Sequence, residues 1–219
     1  MPTSNWQNIS FNIDLVRKID PHSILDVGVG FGRWGILFRE FLELWNYGNY
    51  DGKWKRKIDG VEIFEKYIQP YHAFFYDKIY IENALDYLKR TDEKYDLINF
   101  GDVIEHFQKD EAMILIELAL SKSRFVLINI PVGKNWEQKG TSENEFEEHK
   151  SIFYNSDFKI FKHRKIKGFT DYLKRDFSVI LLSNDPITNY PESDVSKKIK
   201  NFVKYKLHLN FLFKNKKSS

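Results

Sequence analysis

The chain has 219 residues, 42% hydrophobic and 16% aromatic, enough to bury a full core, which excludes disorder for most of its length. It has no cysteine, which excludes a disulfide framework, a thiolate zinc site and a cysteine nucleophile and fits an intracellular setting. The net charge of +3 is local: residues 195–219 carry eight lysines and no acid, so the body is mildly acidic, which argues against a nucleic-acid partner.

In chain order, the N-terminal segment has no apolar signal-peptide region, and no apolar run approaches the roughly 20 residues that span a bilayer. Ser23–Val27 reads as a buried strand leading into Gly28, Gly30 and Gly32. Trp34, Leu37, Phe38, Phe41, Leu42 and Trp45 then recur at steps of three and four, the apolar stripe of a helix with both tryptophans in the core and Gly48 as its stop. Residues 57–61 predict a second strand ending at Glu62. Residues 64–76 predict a helix broken or kinked at Pro70, with His72 as a structural residue. The stretch 78–90 predicts a short strand, a turn and a short helix. A fourth strand follows over 94–100, then loop and helix over 102–122, then a fifth strand over 124–131 that Pro131 ends. Two later strands are predicted over 158–165 and 177–183. Between them and Pro131, the polar, acidic segment 132–157 is too long for a simple connector and reads as a lid. The alternation predicts an α/β fold: a doubly wound, mostly parallel seven-stranded sheet with helices on both faces. It assigns residues 1–185 to one domain and 186–219 to a lysine-rich tail.

The glycine loop admits three readings. A phosphate-binding loop needs Gly-Lys-Ser/Thr after its last glycine, and "FGRWG" has neither Lys nor hydroxyl. A dinucleotide fingerprint starting at Gly28 and Gly30 needs glycine at position 33, where Arg33 would crowd the helix–strand contact. What stands here is an acid followed by G-x-G-x-G: Asp26, Gly28, Gly30, Gly32. An acid beside the crevice repels phosphate and suits a ligand carrying ammonium and sulfonium groups. Glu62, at the end of the second strand, can accept hydrogen bonds from ribose hydroxyls, as any adenosine ligand requires.

These residues resemble the class I, Rossmann-like S-adenosylmethionine-dependent methyltransferases. "ILDVGVGFG" resembles the first motif of that family and "GVEIFEKYI" the second; "IENALDYL" resembles the adenine-contacting turn and "YDLINFGDVIEHF" the segment at strand four. The resemblance covers residues 22–132 and implies S-adenosylmethionine as cofactor and S-adenosylhomocysteine as product. It implies Asp26, Gly28, Gly30, Gly32, Glu62, Asn83, Ala84 and Asp102 as the cofactor-binding set. Asn83 stands where the family commonly has an acid, and an amide both donates and accepts. Asp102 also suits a helix N-cap.

His106 follows strand four at the carboxyl edge of the sheet and is the first candidate to contact or activate the methyl acceptor; His149, on the lid, is the second and also reads as a solvated lid residue. Asp102 and Asn129 form a pair of metal-ligand type without a third ligand, so no metal is expected. Absence of Cys argues against cytosine C5 as acceptor, and the segment after strand four lacks the Asn/Asp-Pro-Pro-Tyr/Phe run of exocyclic amino methylation. Residues 144–159 resemble the acceptor segment of bacterial sugar methyltransferases, which implies O-methylation of a sugar, glycan or related small metabolite. The alternatives are a methyltransferase acting on a protein side chain and a catalytically silent S-adenosylmethionine-binding module. The expected setting is cytoplasmic. Contact of the basic tail with an anionic membrane is the alternative to a solvated or dimer-packed tail.

Overall fold

The computed structural model describes residues 5–48, 50–140 and 143–188. The lysine-rich tail expected over 186–219 lies outside the described residues from position 189 on, and with it the expected membrane contact. Among the described residues no helix is long and apolar enough to cross a membrane.

Among the described residues seven strands form one sheet: β1 (Ser23–Val27), β2 (Lys57–Glu62), β3 (Lys78–Ile81), β4 (Tyr95–Gly101), β5 (Ser123–Pro131), β6 (His163–Thr170) and β7 (Asp176–Ser183). Their order is β3-β2-β1-β4-β5-β7-β6, parallel through β5, with β7 antiparallel to both neighbours. The central strands are buried on both faces, as their continuous apolar runs require. The helices that accompany the sheet are α1 (Ile9–Ile19), α2 (Arg33–Arg39), α3 (Trp45–Tyr47), α4 (His72–Phe75), α5 (Ala84–Arg90) and α6 (Lys109–Lys122). The core joins Leu25, Val27, Ile98, Phe100, Val126 and Ile128 of the sheet to Leu88 of α5 and Leu115 and Ile116 of α6.

Four elements depart from the sequence expectation. Helix α1 buries Leu15, Val16 and Ile19, and its polar Asn8 and Asn12 amides both donate to Asn129 Oδ1 at 2.7 Å, which masks the apolar signal. The helix after the glycines contains a π-helical turn, Glu40–Leu44, between α2 and α3. The extra residue rotates the next turn about the helix axis, so Trp45 leaves the apolar stripe and is 67% exposed, with Arg17 over its ring. Residues 64–76 form a 3-10 turn, Glu65–Tyr67, and the single turn α4, with Pro70 between them. In place of a strand over 158–165, Asp157–Ile160 is a 3-10 turn that sinks Phe158 into the core, and β6 starts at His163.

The amino-terminal edge of the sheet is held by two buried arginines. Arg39 donates to Phe75 O at 2.9 Å, Arg56 O at 2.6 Å and Asp77 Oδ2 at 2.8 Å, and lies 3.6 Å from Glu43. Glu43 Oε1 in turn accepts from the Lys55 and Arg56 amides. Arg56 reaches Pro21 O at 2.6 Å and Asp20 Oδ1 at 2.8 Å. These bonds tie α2 to the segments that start β1, β2 and β3, so the opposite edge of the sheet is left for loops.

Candidate functional site

A cleft of about 510 Å³ opens at the carboxyl ends of the parallel strands. It lies where the strand order reverses between β1 and β4, the place where open α/β sheets take their ligands. Its walls include Gly28 and Gly30 after β1, Glu62 at the end of β2, Asn83 and Ala84 after β3, Asp102 and His106 after β4, and His149 from the segment after β5. Eight of the ten residues expected from the sequence therefore meet in one cavity; Asp26 and Gly32 do not line it.

Gly28, Gly30 and Gly32 all have positive φ (76°, 51° and 84°), conformations that glycine adopts without steric cost. A Cβ on Gly28 would also overlap Val103 Cγ2, so the loops after β1 and β4 meet only because none is there. Gly32 turns the chain into α2, and its carbonyl accepts from the Ile36 amide. Arg33 does not crowd the helix–strand contact: it lines the cleft, half-buried, and donates to Asn5 O at 3.2 Å. Burial lowers its pKa, and the Asp102 carboxylate counters that. The close approach is supplied by Gly35 and Gly101, where a Cβ would overlap Tyr76 and the Trp34 indole.

Asp26 corrects the expectation that it faces the ligand. It is fully buried between Gly60 and Asn99 in the sheet register, accepting from Tyr76 Oη at 2.6 Å and Asn99 Nδ2 at 2.9 Å. Tyr76 Oη accepts in turn from the Gly35 amide at 3.0 Å, so the carboxylate fixes the start of α2 from behind the loop. A carboxylate on an interior sheet face must find such partners, and these are what the position provides.

Burial pushes the Asp26 carboxyl up to about 7 from its ordinary 3.8, against the pull of those two hydrogen bonds. The folded chain then holds this proton more tightly than the unfolded chain. Its contribution to stability is fully present below the unfolded value and is lost as pH rises through about 7. Asp26→Asn should flatten the fall in unfolding midpoint across that window, measured by urea denaturation at several pH values. A slope equal to wild type would contradict this assignment.

Glu62 is nearly fully buried and accepts from the Gly30 amide (2.9 Å) on one oxygen and the Phe64 amide (2.8 Å) on the other. Burial raises its pKa, while those two amides favour its charged form. Each carboxylate oxygen can accept a second bond, so the group holds the loop and still offers acceptors to the cleft. Asn83 Oδ1 accepts from the Leu85 amide at 2.8 Å and caps α5.

Asp102 has φ 56°, and its amide donates to Asn129 O at 3.0 Å. It does not cap a helix: the next turn, Ile104–His106, begins after Val103 without a side-chain cap. Asn129 turns its side chain to α1, so it is no metal partner for Asp102.

His106 and His149 stand edge to face with ring centroids 5.1 Å apart. His106 Nδ1 lies 3.0 Å from Glu148 O, and His149 Nδ1 lies 2.6 Å from Trp136 O. A carbonyl only accepts, so each Nδ1 carries the proton and each Nε2 keeps its lone pair. Burial lowers both pKa values and so favours the neutral form of each ring. The segment carrying His149 is pinned by amides of Lys150 and Ser151 to Glu105 O, and by Tyr67 Oη to Glu147 Oε1 at 2.6 Å.

Sequence reasoning missed Glu105. The residue is 1% exposed, burial raises its pKa, the Asp102 charge adds to that and its own backbone amide offsets it in part, and among the described residues neither oxygen has a hydrogen-bond partner on another residue. Ligand-type atoms of Glu105, His106 and His149 lie within 4.8 Å of one another, a grouping separate from the Asp102 and Asn129 pair considered from the sequence. The signal available was the adjacent Glu-His pair in "VIEHF"; its partner comes from 43 residues downstream of His106.

No family model matches the sequence, and no curated protein matches it. Solved structures do match the fold. A SAM-dependent methyltransferase from Archaeoglobus fulgidus superposes with TM-score 0.54 at 17% identity, covering 80% of this chain and 94% of that one. Magnesium protoporphyrin IX methyltransferase from Synechocystis PCC 6803, solved with bound SAH, gives TM-score 0.56 at 13% identity over 81% and 83% of the two chains. A putative caffeoyl-CoA O-methyltransferase from Staphylococcus aureus gives 0.51 at 14% identity over 83% and 85%. The sheet and its accompanying helices are therefore the Rossmann-like α/β fold of the class I S-adenosylmethionine-dependent methyltransferases.

Proposed function

We propose that the chain is an S-adenosylmethionine-dependent methyltransferase acting on a hydroxyl oxygen of a small molecule, with a sugar or glycan as the acceptor class. One observation carries the reading: a single cleft is lined both by Gly28, Gly30, Glu62 and Asn83 and by His106 and His149. The cleft is within the usual size range for cofactor sites. Glu62 would accept from ribose hydroxyls, Asn83 Nδ2 would meet the adenine edge, and the glycine loop would admit the ligand close to the backbone. S-adenosylmethionine supplies an electrophilic methyl group on a sulfonium, which leaves the protein to supply alignment. His106 and His149 line the same cleft, each with Nδ1 on a backbone carbonyl and an Nε2 lone pair that would be available to the acceptor, and the amides of Lys150 and Ser151 pin the segment that carries His149. Solved relatives in fold that are described as O-methyltransferases support the oxygen acceptor.

The test is turnover of S-adenosylmethionine to S-adenosylhomocysteine with cell-envelope sugars, nucleotide sugars, small phenols and peptides. Turnover with a sugar is expected. Turnover with peptides alone would favour a protein side chain, and cofactor binding without turnover on any acceptor would favour a silent binding module.

A further inference from the structure

We propose that Glu105, His106 and His149 form a divalent-cation site at the acceptor end of the cleft, with open coordination positions that receive an oxygen of the acceptor. The proposal rests on the methyl-transfer reading and adds to it the group that activates the acceptor.

Geometry comes first. The three ligand-type atoms lie within 4.8 Å of one another, and all three residues line the cleft. Ligand atoms that share one ion at about 2.0–2.2 Å sit about 3–3.5 Å apart, so closure asks only for shifts of about an ångström.

The carboxylate gives the second observation. Glu105 is 1% exposed, and among the described residues neither of its oxygens has a hydrogen-bond partner on another residue. No salt bridge to it is formed among the described residues either. A buried carboxyl in that condition is costly to ionise, and a cation against it would supply the partner its charged form lacks. The two imidazoles complete the set. Each gives its Nδ1 proton to a backbone carbonyl, which fixes the tautomer and directs the Nε2 lone pair elsewhere. Metal-bound histidines are held by this outer arrangement.

Two imidazole nitrogens and one carboxylate suit a borderline cation such as Mn²⁺, Co²⁺ or Zn²⁺ better than Mg²⁺ or Ca²⁺. Three protein ligands leave positions open, unlike the closed four-ligand set of a structural zinc. A hydroxyl oxygen placed on the cation loses its proton to solvent more readily, because the ion stabilises the charge left behind. In this arrangement neither histidine needs to take the proton itself.

The test is titration of the tag-free 219-residue chain with Co²⁺ in the absence of S-adenosylmethionine, read by the visible absorption of the ion and by calorimetry. Uptake of one Co²⁺ per chain is expected, persisting in equimolar Mg²⁺. Glu105→Gln and His149→Ala should each weaken it at least about tenfold while circular dichroism stays as in wild type. His149→Ala keeps the test available if Glu105→Gln disturbs folding. Absence of saturable uptake by wild type, or unchanged affinity in both variants, overturns the site. A parallel titration with S-adenosylmethionine separates the two claims. Cofactor binding without Co²⁺ uptake sinks the cation site alone, and Co²⁺ uptake without cofactor binding sinks the methyl-transfer reading alone.

Discussion

Glu62→Ala should weaken S-adenosylmethionine binding about ten- to a hundredfold, the loss expected when two hydrogen bonds to a charged acceptor, about 1.5–3 kcal/mol in all, are removed. The same substitution takes away the acceptor for the Gly30 and Phe64 amides, so part of the loss would come from a loosened loop. Glu62→Gln separates the contributions. It keeps one acceptor oxygen and the side-chain shape but loses the charge, and should fall between wild type and Glu62→Ala. Isothermal calorimetry on all three proteins reads the order directly. Affinity equal to wild type in Glu62→Ala would remove this carboxylate from the cofactor site.

Arg39→Ala should destabilise the fold by about 3–5 kcal/mol, the cost of leaving buried groups of an ion network unpaired. Arg39 is 1% exposed and satisfies two backbone carbonyls, Phe75 O and Arg56 O, together with the Asp77 carboxylate. Its removal also leaves Glu43, fully buried, beside no guanidinium at the i−4 position. A loss of that size is a large part of a typical domain's stability. It should appear as a lower urea midpoint with an unchanged slope. Since this network sits at the amino-terminal edge of the sheet, cofactor affinity of the protein that remains folded should stay near wild type. A shift below about 1 kcal/mol would mean that solvent or neighbouring groups replace the guanidinium.

The parallel half of the sheet was legible because most of its strands carry buried apolar residues and end in a recognisable turn. Ser23–Val27 runs into the glycines, β2 ends on Glu62 and β5 ends on Pro131. Those same strand ends supply the cleft, so Gly28, Glu62, Asn83 and His106 could be placed from their order alone. Other features depend on geometry that a linear pattern does not carry. Trp45 continues the helical stripe in sequence, and the inserted π turn rotates it to solvent. Asp26 reads as a ligand-facing acid until Tyr76, 50 residues on, is seen to hold it. Glu105 gains its meaning only from His149, which main-chain bonds from Lys150 and Ser151 bring alongside. The edge strand β6 pairs with β7 alone and is nowhere fully buried, which gives a weaker signal than the buried centre.

The cofactor assignment is tested most directly by calorimetric titration of the wild-type chain with S-adenosylmethionine and, separately, with NAD. Saturable one-to-one binding of S-adenosylmethionine, with no heat from NAD, is the predicted result. Saturation by NAD without any response to S-adenosylmethionine would contradict the assignment, because the glycine loop and Glu62 would then serve a dinucleotide.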